Sequence, residues 1–169
     1  PRTMLIEFAG DLPYGLTPKD MILGAIGQVG VGGGRGHVVE YAGAAVRALS
    51  IEGRLTICNM SIELGARAGM IGPDDTTFSF LEGRPRAPKG DEWERALDHW
   101  RSLGSDRGAA YDTHATVDLG ALAPQVTWGT NPGMVVPVTG AVPDPDDFPD
   151  PDDRAATLRA LEYMGLRPG

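Results

Sequence analysis

Among 169 residues there is a single cysteine, Cys58. No intrachain disulfide can form, so a secreted disulfide scaffold and a Cys-rich metal site are both excluded for this chain alone. A reducing cytoplasmic setting is the expectation. Basic residues are also scarce: 15 Lys and Arg stand against 23 Asp and Glu, giving a net charge of -8. Binding to a phosphate backbone depends on clustered Lys and Arg, and no basic stripe is present, which argues against a nucleic-acid partner. No run approaches the roughly 18 consecutive apolar residues of a membrane span, and the N-terminus lacks a charged-then-apolar signal, so no membrane partner is expected. An initiating methionine is missing too. Starting at Pro1 and stopping at Arg167-Pro168-Gly169 just after a predicted helix, the chain has the ends expected of a fragment.

What is abundant is glycine and proline, 24 and 14 residues, which predicts many loops around an otherwise ordinary apolar content of 41%. One core is the default at this length. The densest charge is the run from Asp144 to Asp153, whose three prolines leave it few routes to regular structure; it reads as a solvated linker. An EF-hand loop would need a Gly and a terminal Glu at fixed offsets, and neither is present. Residues 30–36 are glycine-rich but fit neither G-x-G-x-x-G nor G-x-x-x-x-G-K-[ST], so a tightly turning loop is predicted rather than a phosphate cradle. His37, His99 and His114 fall in different elements without metal-ligand spacing.

Residues 3–8 form a short apolar run closed by Gly10, Asp11 and Pro13, which predicts a buried strand. Thr17 as cap, Pro18 at the first position and Asp20 three residues on predict a helix whose Met21, Ile22, Ala25, Ile26 and Val29 recur at helical spacing. Strands follow at 37–41, 67–71 and 115–119, with a helical turn at 44–49 and helices at 51–63, from Asp75 to Leu81, and around Trp93 to Leu103. Residues 125–140 read as short extended pieces broken at Asn131-Pro132-Gly133. A last helix over 152–163 would turn Ala155, Leu158, Leu161 and Met164 inward. This alternation predicts an α/β fold, a three-layer α/β/α arrangement around an open, mostly parallel sheet, with an irregular Pro-rich C-terminal extension. The predicted division is an α/β domain over 1–140 and, over 141–169, an acidic linker and C-terminal helix.

The run from Arg54 to Gly65 places Asn59 and Glu63 four residues apart in apolar sequence. With Ser50 as cap, Ile51, Leu55, Cys58 and Ile62 recur at steps of 4, 3 and 4, beside a polar stripe of Glu52, Thr56, Asn59 and Glu63. If the helix runs on to Gly65, the amide and the carboxylate project together from one face. The plainer alternative is a surface amide and a surface carboxylate. Cys58 lies on the apolar stripe and reads as a packing residue rather than a nucleophile.

Three segments carry a resemblance: 33–41 (Gly-Gly-Arg-Gly-His-Val-Val-Glu-Tyr), 57–66 (Ile-Cys-Asn-Met-Ser-Ile-Glu-Leu-Gly-Ala) and 126–132 (Val-Thr-Trp-Gly-Thr-Asn-Pro). In that order they resemble the aconitase superfamily, most of all its isopropylmalate dehydratase large subunits, over nearly the whole chain. The resemblance implies an aconitase-type second domain. It also implies a hydro-lyase that interconverts 2-isopropylmalate and 3-isopropylmalate through an unsaturated intermediate at a 4Fe-4S cluster, in leucine biosynthesis. Asn59 matches the family's cluster-proximal asparagine, and Glu63 its active-site glutamate, which hydrogen-bonds the hydroxyl or water on the open iron. The family's cluster cysteines, in Gly-Ser-Cys-Thr-Asn and Cys-x-x-Cys motifs, have no counterpart, and Cys58 does not occupy a ligand position. The resemblance thus implies no cluster on this chain, a catalytic base outside it, and as partners a small subunit, the missing domains of the large subunit and a small hydroxy acid. Aconitase and homoaconitase are the nearest alternatives, and a freestanding binding module built on the glycine loop is a third.

Overall fold

A computed structural model describes all residues from Pro1 to Gly169. Four strands, β1 (Arg2–Ala9), β2 (His37–Ala42), β3 (Ala68–Met70) and β4 (Thr113–Asp118), form a wholly parallel sheet in the order β3-β2-β1-β4. Helices α1 (Pro18–Val29), α2 (Ala44–Ala48) and α3 (Ile51–Asn59) make the crossovers from β1 to β2 and from β2 to β3. Helices α4 (Asp75–Leu81) and α5 (Asp91–Arg101) lead back to β4 on the far side of β1. The α/β class and the open parallel sheet flanked by helices are therefore those the alternation predicts.

Register places Ile6 beside Tyr41 on one side and Ala115 on the other. The period of two then sends Met4, Ile6, Phe8, Val39, Tyr41 and Val117 to one face, where they meet Met21, Ile22, Ala25 and Ile26 of α1 and Ile57 of α3 in a core of seventeen buried residues. The other face carries Glu7, Glu40 and His114 and is more open. Glu40 there accepts hydrogen bonds from Ser105 Oγ at 2.6 Å and Tyr111 Oη at 2.9 Å, which brings the segment after α5 onto that face.

Helix α1 begins as its sequence predicts. The Thr17 hydroxyl accepts from Asp20 N–H, the Asp20 carboxylate accepts from Thr17 N–H at 2.8 Å, and Pro18 occupies the first position. Helix α3 departs from its prediction twice. It ends at Asn59 rather than near Gly65, and residues 60–65 form a series of turns. Its buried face is Gly53, Arg54 and Ile57, while Leu55 and Ile62 are exposed. Two facts produce this rotation. Gly53 lets α3 approach Pro18 so closely that a Cβ there would lie 2.9 Å from the proline ring. Arg54 is buried because its guanidinium is fully engaged, bidentate to Asp74 at 2.7 and 2.8 Å and donating to the carbonyls of Leu49 and Arg47. Asp74 is also the N-cap of α4, so one ion pair fixes both helices.

After a 3₁₀ turn at Leu119–Ala121, β5 (Gln125–Thr127) and β6 (Val135–Pro137) make a two-stranded antiparallel ribbon. Helix α6 (Pro151–Met164) packs on it through a second, small core of Trp128, Ala160 and Leu161. This helix buries Thr157, Ala160 and Leu161 and leaves Leu158 and Met164 exposed, so its inward face differs from the predicted one by a partial turn. The acidic run is less irregular than its composition suggests. Asp144 caps a 3₁₀ turn at Pro145–Asp147, and Asp150 caps α6 by accepting from Asp152 and Asp153 N–H.

Candidate active site

The three segments singled out in the sequence meet. Gly34 N–H donates to the Leu64 carbonyl at 3.0 Å, tying the glycine loop to the turn after α3. A Cβ at Gly65, whose φ is 83°, would lie 2.9 Å from the Val31 carbonyl oxygen, and one at Gly133 would lie 2.5 Å from Val31 Cγ1. Val31 is thus the point where the glycine loop, the Met60–Gly65 turn and the tip of the β5–β6 ribbon touch. That tip is closed by Trp128 N–H to the Met134 carbonyl at 2.9 Å and by Asn131 Oδ1, which accepts from Gly133 N–H at 2.9 Å.

Between these segments a cleft of about 680 Å³ runs along α1. Asp20 and Leu23 belong to its α1 side, Met60 and Glu63 to one wall, and the segment from Gln125 to Pro132 to the other. Glu63 is exposed on this cleft and has no hydrogen-bond or ion-pair partner within the chain. Asn59 is exposed as the last residue of α3 and does not line the cleft. The structure therefore brings Glu63, but not Asn59, to the cleft, and the two do not share a helical face.

Two buried polar groups hold the walls. Asp20 spends one oxygen on the α1 cap and the other on Gln125 N–H, at 2.7 Å, which pins β5 to α1. Burial pushes its carboxyl up, but the hydrogen bonds from Gln125 and Thr17 outweigh that and hold it below the usual carboxylate range. On the opposite wall Tyr41 Oη and Ser61 Oγ lie 2.8 Å apart in the core. Burial pushes the Tyr41 phenol up to about 12; the hydrogen bond to Ser61 works against this, and negative charge at Cys58 and Glu63 adds to it. Neither anchor was visible as such in the sequence. The capping box revealed Asp20 only as a cap, and Ser61 carried no signal at all.

The remaining candidates take structural places. His37 is buried, its Nδ1 3.1 Å from the Arg35 carbonyl and its Nε2 3.3 Å from Thr113 Oγ1. His114 is exposed, 3.6 Å from Glu7. Cys58 is half-buried against the core, where burial raises its thiol. No three His, Cys, Asp or Glu side chains converge on a common point. No helix is long and apolar enough to cross a membrane.

The profile of the aconitase family (aconitate hydratase) matches residues 1–169, the whole chain. The 3-isopropylmalate dehydratase large subunit 1 of Bradyrhizobium diazoefficiens is 56% identical over all 169 residues, which span 35% of that protein's length.

Proposed function

The chain belongs to the aconitase family, and from that membership we propose that it forms one wall of a composite hydro-lyase site in a longer 3-isopropylmalate dehydratase large subunit. The observation that carries this reading is the unpaired Glu63 carboxylate standing on a cleft enclosed by the turn after α3 and the Val126–Pro132 segment. A carboxylate with no internal partner is free to receive a substrate hydroxyl. In this reading Glu63 accepts a hydrogen bond from the hydroxyl of a small hydroxy acid, and from the water that replaces it, while Asn59, exposed at the end of α3, would lie beside the cofactor of the complete enzyme. The base that removes the carbon-bound proton lies outside these residues.

A 4Fe-4S cluster is held by cysteine thiolates. The donor set of this chain does not fit one: its only thiol is half-buried beside Ile51, Leu55 and Ile71, and no other ligand-forming side chains gather near it. The cluster of the complete enzyme is accordingly assigned to residues beyond these 169. The proposed division places the α/β body in residues 1–140, with residues 141–169 folding back through α6 onto the β5–β6 ribbon before leading toward the rest of the subunit. A small subunit, a cytoplasmic setting and a place in leucine biosynthesis complete the proposal.

Glu63→Gln in the complete enzyme tests it. Turnover falls by about ten- to a hundredfold, because a neutral amide oxygen replaces a charged acceptor worth about 1.5–3 kcal/mol, while iron and sulfide content stay constant. Unchanged turnover would remove Glu63 from the site.

A further inference from the structure

Because α3 stops at Asn59, a helix does not fix where Glu63 points. Something else must. Ile62 and Glu63 are exposed, but the residues on either side of them, Ser61 and Leu64, are completely buried. Leu64 is held by the core and by Gly34 N–H on its carbonyl. Ser61 is held by Tyr41, whose ring stacks on Phe8 in the centre of the sheet. Its backbone is engaged as well, since Ser61 N–H donates to Cys58 and its carbonyl accepts from Ala66 N–H. Gly69 closes the arrangement: a Cβ there would overlap Ser61 Oγ and come within 2.9 Å of the Tyr41 ring. Two hydroxyls thus satisfy each other inside an otherwise apolar core, with a glycine on the edge strand making the room.

We propose that the Tyr41–Ser61 hydrogen bond, seated against Gly69, is a positioning device that aims Glu63 into the cleft. It deepens the function proposed above and rests on Glu63 acting there. Tyr41 and Ser61 are positioning residues, since neither lines the cleft. The two hydroxyls could have been replaced together by apolar groups at little loss of stability, because removing both partners of a buried hydrogen bond is close to neutral whereas removing one leaves the other unsatisfied. That asymmetry separates aim from stability.

The test is a cycle of Tyr41→Phe, Ser61→Ala and the double variant, read in two ways. Thermal midpoints should fall in each single variant and recover in the double. In the complete enzyme kcat should drop about tenfold or more in all three, with KM within about twofold, because a misplaced reacting group loses rate rather than binding. Peptide-resolved amide exchange on the 169-residue chain should show residues 60–66 exchanging about tenfold faster in all three, with β1 unchanged. Gly69→Ala should reproduce the loss by displacing Ser61. If kcat and exchange in the double variant recover together with its thermal midpoint, the hydrogen bond is only a stability element and the proposal fails. Exchange decides this even if Glu63→Gln leaves turnover intact, so failure of the functional reading and failure of the positioning device remain distinguishable.

Discussion

The two walls of the cleft stand on different foundations. The wall bearing Glu63 rises from a core of seventeen buried residues at the centre of a parallel sheet, and the wall formed by Val126–Pro132 rests on three, Trp128, Ala160 and Leu161. The first is joined to its support by a buried hydrogen bond between hydroxyls; the second is joined to α1 through Asp20 and Gln125. Hydrophobic burial stabilises in proportion to the area removed from water, so the two walls should open at very different free energies. Under the proposed function, a cleft built this way would hold Glu63 fixed while the opposite wall adjusts around a substrate.

The largest expected effect tests the firm wall. Ile6→Ala, at a fully buried position in β1, should lower the unfolding free energy by about 3–4 kcal/mol in denaturant melts, and both walls should be lost together. Next is Trp128→Ala, which should remove about 3 kcal/mol, the low end for a large aromatic in so small a core, from the small core alone. Amide exchange along α6 should then accelerate while β1 and β2 keep their protection. Equal acceleration in β2 would make the molecule one cooperative unit and break the comparison. Smallest is Asp20→Asn, about 1–2 kcal/mol, read from exchange at Gln125. The sign of its pH dependence is set by a folded-state pKa below the unfolded one: Asp20 contributes fully above about pH 4, and the contribution is lost as pH falls through the lowered value. Wild-type β5 should therefore loosen in acid, and the Asp20→Asn chain should be loose at every pH.

Strands and the start of α1 were legible because local signals and tertiary needs agree there: the capping box, Pro18 and the β-branched runs all point one way. In α3 they part. Ile51, Leu55, Cys58 and Ile62 recur at perfect helical spacing, yet the buried face holds a glycine and an arginine, because Pro18 demands the first and Asp74 neutralises the second. A hydrophobicity pattern cannot register a charge made compatible with burial by a residue twenty positions away. The same blindness misplaced Glu63 on a helix it does not belong to, and left Ser61 unnoticed, since its partner Tyr41 is a strand away. In α6 the alanine and threonine that face Trp128 lost to larger, more conspicuous leucine and methionine that face solvent.

The crowding at Val31 has an evolutionary consequence. Its carbonyl leaves no comfortable room for a side chain at Gly65, and its methyl crowds any side chain at Gly133. Substitutions in the glycine loop, the Glu63 turn and the ribbon tip are therefore not independent events. A lineage that changes one must compensate in another, and these three stretches should drift through related sequences as a single correlated block.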